Sequence, residues 1–452
     1  MGGQLVWDLP RLWQEVSAGL RAAAARHGRG VVSIGVDSWG VDFSFLGPDG
    51  ALLANPVCYR DARTRGMLAA AERIVPREEI FDATGLQFME LNSLYQLLAM
   101  QQSHSSVLAA ADRLLMIPDI FHWLLSGERS NEFTNASTTQ CLDPRRREWA
   151  FDMLGRFGLP GRIFGGLSAP GTELGPLRTD VAAEAGLPDA RVVIPGTHDT
   201  ASAVAAVPAP EAPSARPDWC YVSLGTWALV GAEVDRPLVT PQCLAHNFTN
   251  EGGIGGTTRL LKNICGLWLV QQCRASWQRA GTALSWDQLT AQAAGAPPLV
   301  TLVDPNHPSL VAPADMPAAI RALAAAGGEP VPESTAAVVR TALESVAAAV
   351  GRTVGELDAL LGHRAGRVHV VGGGVKNALL CQMIADATGR PVVAGPVEAT
   401  AIGNLLVQLQ ARDGTVDLRS VRSIVRDSVE LAHYEPRDAD RWRERLLTSS
   451  GA

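Results

Sequence analysis

The run Val31-Val-Ser-Ile-Gly-Val36 constrains the fold more than any other segment, because it is short, apolar and stops at Asp37-Ser-Trp-Gly40. A strand of that composition is read as buried, as in a sheet covered by helices. Upstream, Leu9–His27 reads as a helix: Leu12, Val16, Leu20 and Ala23 recur at helical spacing, and Asp8 can serve as N-cap. Downstream, a second strand at 41–46 runs into Gly47-Pro-Asp-Gly50, strong turn chemistry that predicts a hairpin or meander. Helical patterns dominate from about 62 to 128, with breaks expected at Pro76 and Pro118.

The second half repeats the theme. Val192-Val-Ile-Pro195 reads as a strand, Gly196-Thr-His-Asp-Thr200 as a tight turn, and 201–205 as the start of a helix. Four prolines in 208–217 mark a linker or exposed loop, so the predicted division is 1–207 and 208–452. Beyond it, strands are expected at 219–223 and 227–231 around Leu224-Gly-Thr226, and a long helix at about 333–351. The strand 367–371 ends in Gly372-Gly-Gly374 and opens a helix at 377–388. The two halves share a helix followed by a short buried strand that ends in a special turn, and Arg29-Gly-Val-Val-Ser-Ile-Gly35 stands beside Gly366-Arg-Val-His-Val-Val-Gly372. The first half has no counterpart of the glycine-threonine hairpin that precedes this unit in the second. The fold class expected is α/β in two domains.

At 452 residues, 47% hydrophobic and 19% charged, the chain can bury more than one core, and disorder is excluded over most of its length. A net charge of −7 disfavours a nucleic-acid partner, which needs a basic footprint. No run approaches the ~20 apolar residues of a membrane span, and no signal peptide is visible at the N-terminus, so a cytoplasmic protein with no membrane partner is expected. Seven cysteines without CxxC spacing suggest buried free thiols. All but two of the 39 basic residues are arginine, and the two lysines, Lys262 and Lys376, each precede an asparagine.

Asp199 is the strongest catalytic candidate. A carboxylate at a strand-to-helix turn stands at the edge of an α/β sheet, where it can take a proton from a hydroxyl. The alternative is that Asp199 simply N-caps the following helix, and His198 has the same ambiguity between catalyst and structural residue. Leu224-Gly-Thr226 could offer N–H groups and a hydroxyl to a phosphate, or could be an ordinary turn. Gly372-Gly-Gly374 lets backbone approach a nucleotide, without the spacing of a dinucleotide fold or a P-loop. Asn250-Glu-Gly-Gly253 and Lys262-Asn263 supply polar groups at a spacing that is not diagnostic. Trp268, Leu269 and Trp277 read as core, and 434–445 as a solvated C-terminal helix. Zinc-protease and serine-hydrolase signatures are missing from the sequence.

Taken in order, these segments resemble the FGGY carbohydrate kinases, most closely the members that phosphorylate L-rhamnulose. The resemblance spans residues 4 to about 434. It rests on Ile34-Gly-Val-Asp-Ser-Trp-Gly-Val-Asp42, Pro56-Val-Cys-Tyr-Arg-Asp61, Ser93-Leu-Tyr-Gln96 and Thr134-Asn-Ala-Ser-Thr-Thr-Gln140. It continues through His198-Asp-Thr-Ala-Ser-Ala203, Ser223-Leu-Gly-Thr-Trp227, Thr249-Asn-Glu-Gly-Gly253, Leu261-Lys-Asn-Ile264, Gly266-Leu-Trp-Leu269, Gly372-Gly-Gly-Val-Lys-Asn377 and Ala394-Gly-Pro-Val-Glu-Ala399. The resemblance implies two actin-like (ribonuclease H-like) ATPase domains closing on sugar and ATP, with Mg²⁺. It implies transfer of phosphate to the terminal hydroxyl of L-rhamnulose. Carried over residue by residue, it makes Asp199 the general base, Gly40, His198, Thr200 and Asn263 sugar contacts, and Thr226, Gln271 and Gly373 ATP contacts. L-fuculose or L-xylulose as substrate, and a sugar-binding relic without turnover, are the alternatives. Family members begin with a strand–glycine-rich loop–strand hairpin that binds phosphates and contributes a Mg²⁺-associated aspartate, and this sequence starts after it. The expectation is a start site assigned too late, with an exposed sheet edge and little or no activity in the chain as it stands.

Overall fold

The computed structural model describes residues 3–210, 214–414 and 417–449. Of the proline-rich stretch at 208–217, residues 211–213 lie outside the described residues. The chain forms two compact units: Met1–Ala206 with Val234–Leu260 and Thr400–Val421, and Val207–Glu233 with Leu261–Ala399 and Arg422–Ala452. Each unit is thus assembled from three separated segments of chain.

In the first unit the helix Leu9–His27 forms as its pattern predicts, with the Asp8 carboxylate accepting from the backbone N–H of Arg11. Leu12, Trp13 and Val16 pack on a cluster that includes Leu9, Leu46, Leu115 and Ile120, while Leu20 and Ala24 pack on a second cluster around Leu187 and Val192. The segment at 31–36 yields only a two-residue strand, Ser33–Ile34, parallel to Arg191–Val193, which in turn pairs antiparallel with Glu173–Pro176. Ser33–Ile34 is the edge of this three-stranded sheet, and Val32 is 42% exposed. The burial expected from its composition is therefore only partial here.

The strand Phe43–Leu46 takes Arg113–Met116 as its antiparallel partner. The turn at 47–50 does fold back, since Gly47 N donates to Ala51 O and Leu53 N to Phe45 O, but it adds only a bridge at Leu52. The partner strand lies within the region read as helical. Pro118 does not break a helix there; it occupies the first turn of Ile117–Ser126, where its missing N–H costs nothing.

Three of the quoted segments, together with Trp7, meet at one buried carboxylate. Asp42 accepts hydrogen bonds from Trp7 Nε1 at 2.7 Å, Trp39 Nε1 at 3.0 Å, Tyr59 N at 3.2 Å and Gln96 Nε2 at 3.2 Å. Its side chain is fully buried, and burial pushes its pKa up against the pull of these donors. These residues thus hold the unit together through a satisfied polar core.

The second unit is built on the strand Trp219–Leu224, antiparallel to Trp227–Val234 and parallel to Arg367–Val371. Val392–Ala394 and Ala432–Tyr434 extend the sheet. The helix Thr335–Leu361 runs ten residues past its expected end and stops at Gly362, whose φ of 66° is left-handed. Gly351 lies inside it because an added Cβ would stand 2.8 Å from Ala387 O of the helix Ala378–Thr388. Leu269 is fully buried, while Trp268 and Trp277 are only partly so. Of the seven thiols, all are buried except that of Cys58, which is partly exposed. Among the described residues no helix is long and apolar enough to cross a membrane.

Candidate functional site

The strand Arg191–Val193 delivers the chain into Gly196-Thr-His-Asp-Thr200, and the helix that follows begins at Asp199 itself. His198, not Asp199, is the N-cap residue. The capping alternative for Asp199 therefore fails, because the residue already occupies the first helical position. Its side chain is 44% exposed, whereas His198 and Thr200 are buried. Thr200 Oγ1 donates to Asp199 Oδ1 at 3.1 Å, and His198 Nε2 lies 3.5 Å from the same oxygen.

The turn is held from beneath by Glu132, which the sequence reading did not single out. Its fully buried carboxylate accepts from Thr197 N at 3.0 Å, Thr197 Oγ1 at 2.7 Å, Thr134 N at 2.7 Å and Thr134 Oγ1 at 2.5 Å. Thr134 Oγ1 in turn accepts from His198 N at 3.2 Å. Burial pushes the Glu132 pKa up, and these hydrogen bonds work against it. The segment beginning at Thr134 thereby fixes the backbone on which Asp199 stands.

On the other side, Ser38 N donates to Thr197 O and Asp199 N donates to Ser38 O, a short parallel ladder. This places Asp37 within electrostatic reach of Asp199 and His198. Asn404 Nδ2, from the helix Ala399–Arg412, donates to Asp37 Oδ2 at 2.5 Å. Burial pushes the Asp37 carboxyl up to about 6, Asn404 opposes the shift, and the charge of Asp199 adds to it. Gly40 follows two residues after the ladder and is buried against Thr138, whose Oγ1 would lie 2.7 Å from an added Cβ. Only glycine fits there. The backbone N–H of Val41 donates to that same Thr138 hydroxyl.

His198 is backed by a buried ion pair. Arg259 is fully buried, its Nη1 3.1 Å from Glu251 Oε2 and its Nη2 3.1 Å from His198 Nδ1. Burial raises the Glu251 pKa, but the Arg259 charge beside it outweighs burial and holds the group below its ordinary value. The signal for Glu251 lay in Thr249-Asn-Glu-Gly-Gly253; Asp37 was visible as a carboxylate ending a buried strand. Arg259, Glu132 and Asn404 carried no local signal.

The remaining predicted residues lie in the second unit. Thr226 sits in the turn between Trp219–Leu224 and Trp227–Val234, and its Oγ1 donates to Gln271 Oε1 at 3.2 Å, so these two are brought together. Leu267 N donates to Gly225 O, and Gly266 can approach because it has no Cβ: one would stand 2.6 Å from Trp227 C. Register pairs Ser223 with Val371, so the Thr226 turn and Gly372-Gly-Gly374 emerge at one sheet edge. Gly374 lies against Leu224, whose Cγ an added Cβ would meet at 2.3 Å, while Gly373 is exposed and a Cβ there would meet open space. The helix Trp268–Arg279 begins beside the turn at Leu267, which supplies no side-chain cap. Its first N–H, that of Trp268, donates to Thr226 O at 3.2 Å and ties the helix to the turn. Asn263 is partly buried in the strand Thr258–Cys265 of this unit, apart in the chain from Gly40, His198 and Thr200 of the first.

Comparison with known proteins identifies the family. The FGGY family of carbohydrate kinases, N-terminal domain, matches residues 2–206, and its C-terminal domain matches 220–412. The chain is 40% identical to a rhamnulokinase of Bacteroides thetaiotaomicron over 98% of its own length and 89% of that protein. It is 41% identical to a rhamnulokinase of Pectobacterium carotovorum, over 97% and 86%. Among solved structures it resembles xylulose kinase from Lactobacillus acidophilus, with a TM-score of 0.81 and 15% identity, over 100% of this chain and 89% of that one. Glycerol kinase from Plasmodium falciparum gives 0.75 and 14%, over the same shares. With both domains matched and relatives this similar along nearly its whole length, the chain belongs to the FGGY family of carbohydrate kinases.

Proposed function

We propose that this kinase transfers the γ-phosphoryl group of ATP to the terminal hydroxyl of L-rhamnulose, giving L-rhamnulose 1-phosphate and ADP. The observation that carries the reading is the placement of Asp199. It is a half-exposed carboxylate on the first residue of a helix, on a backbone fixed by Glu132, with the Thr200 hydroxyl donating to Oδ1 and His198 Nε2 3.5 Å from the same oxygen. Oδ2 takes the proton of the sugar hydroxyl, that oxygen attacks the γ-phosphorus, and the bond to the β–γ bridging oxygen breaks to release ADP. Phosphoryl transfer asks the protein mainly for positioning and charge neutralisation, which suits a base that is braced from several sides.

Gly40, His198, Thr200 and Asn263 contact the sugar, and Thr226, Gln271 and Gly373 the nucleotide. In this reading residues 1–207 form the sugar domain and 208–452 the nucleotide domain. The open space at Gly373 and the shared edge with the Thr226 turn support the second assignment. Among the described residues no three His, Cys, Asp or Glu side chains cluster as a metal site. Mg²⁺ in kinases is held largely by phosphates, waters and one or two carboxylates, so MgATP is the form in which the ion enters.

Asp199→Asn tests the assignment. Loss of a general base lowers turnover by roughly 10²–10⁴-fold, while calorimetry should find L-rhamnulose binding within a few-fold of the parent. Turnover that stays within a factor of a few removes Asp199 as the base.

A further inference from the structure

The geometry points to Arg259, held by Glu251, as the positioning residue that sets which nitrogen of His198 carries the ring proton. The inference rests on the kinase reading for the role of Asp199 and extends it to residues behind the site.

A guanidinium only donates hydrogen bonds, so at 3.1 Å from Arg259 Nη2 the Nδ1 of His198 must accept. The proton of the neutral ring is then on Nε2, the nitrogen 3.5 Å from Asp199 Oδ1. His198 thus presents a donor to the base. Together with Thr200 Oγ1 it occupies Oδ1 and leaves Oδ2 to the incoming hydroxyl.

Arg259 is itself fixed. Its Nε donates to Gly252 O at 2.7 Å, and Gly252 N donates to Ser137 Oγ at 2.7 Å. Gly252 is pressed so close to Phe133 that an added Cβ would stand 2.6 Å from the ring. Glu251 supplies the counter-charge that an arginine with no exposed surface requires.

Glu251 would by itself select the wrong tautomer. Its Oε2 lies 3.3 Å from His198 Nδ1, so without Arg259 it would accept a proton from Nδ1. The Nε2 lone pair would then face the Asp199 carboxylate. Arg259 therefore does more than fill the core, because its removal reverses the ring's polarity toward the base.

The test reads the ring directly. Long-range ¹H–¹⁵N correlation near pH 8 on protein labelled in histidine reports which ring nitrogen carries the proton. His198 is assigned by comparison with His198→Gln. The wild-type chain should show the Nε2–H tautomer, and Arg259→Met should convert it to Nδ1–H. Calorimetry with L-rhamnulose, without nucleotide, should show weaker binding in Arg259→Met. The charge-balanced Glu251→Gln/Arg259→Met pair should give a mixture of tautomers.

An Nδ1–H ring in the wild-type protein, or an unchanged tautomer in Arg259→Met, overturns the inference. Because the wild-type tautomer is read without Arg259→Met, an Arg259 variant that fails to fold leaves the decision with the wild-type spectrum. Should L-rhamnulose not bind the wild-type chain, the substrate reading fails while the spectrum still decides this one.

Discussion

At the scale of single residues, the site is governed by carboxylates in different surroundings. Asp42 and Glu132 are fully buried and spend their acceptors on protein donors, so they are structural. Asp199 is half exposed and keeps an oxygen toward solvent. Asp37 lies between these cases, with its pKa raised to about 6 by burial and by the charge of Asp199. Raised in the folded state, this group binds its proton more tightly there than in the unfolded chain, so its ionisation works against folding. Stability is lost as pH rises from about 4 to about 6 and the cost persists above that. Asp37→Asn should therefore raise the melting temperature by a few degrees at pH 7–8, with the difference closing as pH falls to about 4. Asn keeps an oxygen to accept from Asn404. Melting curves across that range check this, and a gain that is independent of pH would contradict it.

At the scale of elements, two helices decide how the turn is presented. Asp199–Ala205 starts at the base itself, and Ala399–Arg412 crosses it at Gly403, where an added Cβ would stand 1.8 Å from Ser202 O. Helix propensity alone favours alanine over glycine by about 1 kcal/mol. The overlap with a backbone oxygen must win, since overpacking costs about 1–3 kcal/mol and here the obstacle is not a flexible side chain. Gly403→Ala should be net destabilising by about 1–3 kcal/mol in urea titrations. It should also lower turnover, because the same helix carries Thr400, whose hydroxyl donates to Asp199 O, and Asn404. A stabilised, fully active variant would show that the two helices do not meet as described.

The elements that local chemistry determines were legible in the sequence. Asp8 with Leu9–His27 and Asn377 with Ala378–Thr388 carry their own caps and periodicity. Arg113–Met116 was not legible, because four residues between helical patterns acquire strand geometry only from Phe43–Leu46, about seventy positions earlier. The base was visible because Asp199 sits in a recognisable turn. Glu132 was not, because its decisive partner Thr197 lies 65 residues away.

At the scale of the whole molecule, the units are discontinuous in sequence. The first unit takes Val234–Leu260 and Thr400–Val421 from the second half of the chain. Those segments bring Glu251, Arg259 and Asn404 to Asp37, His198 and Asp199. A single cut near 207 leaves the proposed sugar contact Asn263, and these supporting side chains, on its far side. The fold common to xylulose and glycerol kinases leaves the sugar open, and the identity of about 40% to rhamnulokinases favours L-rhamnulose. The most direct test is a coupled ADP-release assay on the full chain with MgATP, comparing L-rhamnulose, L-fuculose and L-xylulose. The account predicts the highest kcat/KM for L-rhamnulose, by a factor on the order of 10², the discrimination that hydroxyl-matched contacts can supply. A higher kcat/KM for either of the other ketoses would contradict it.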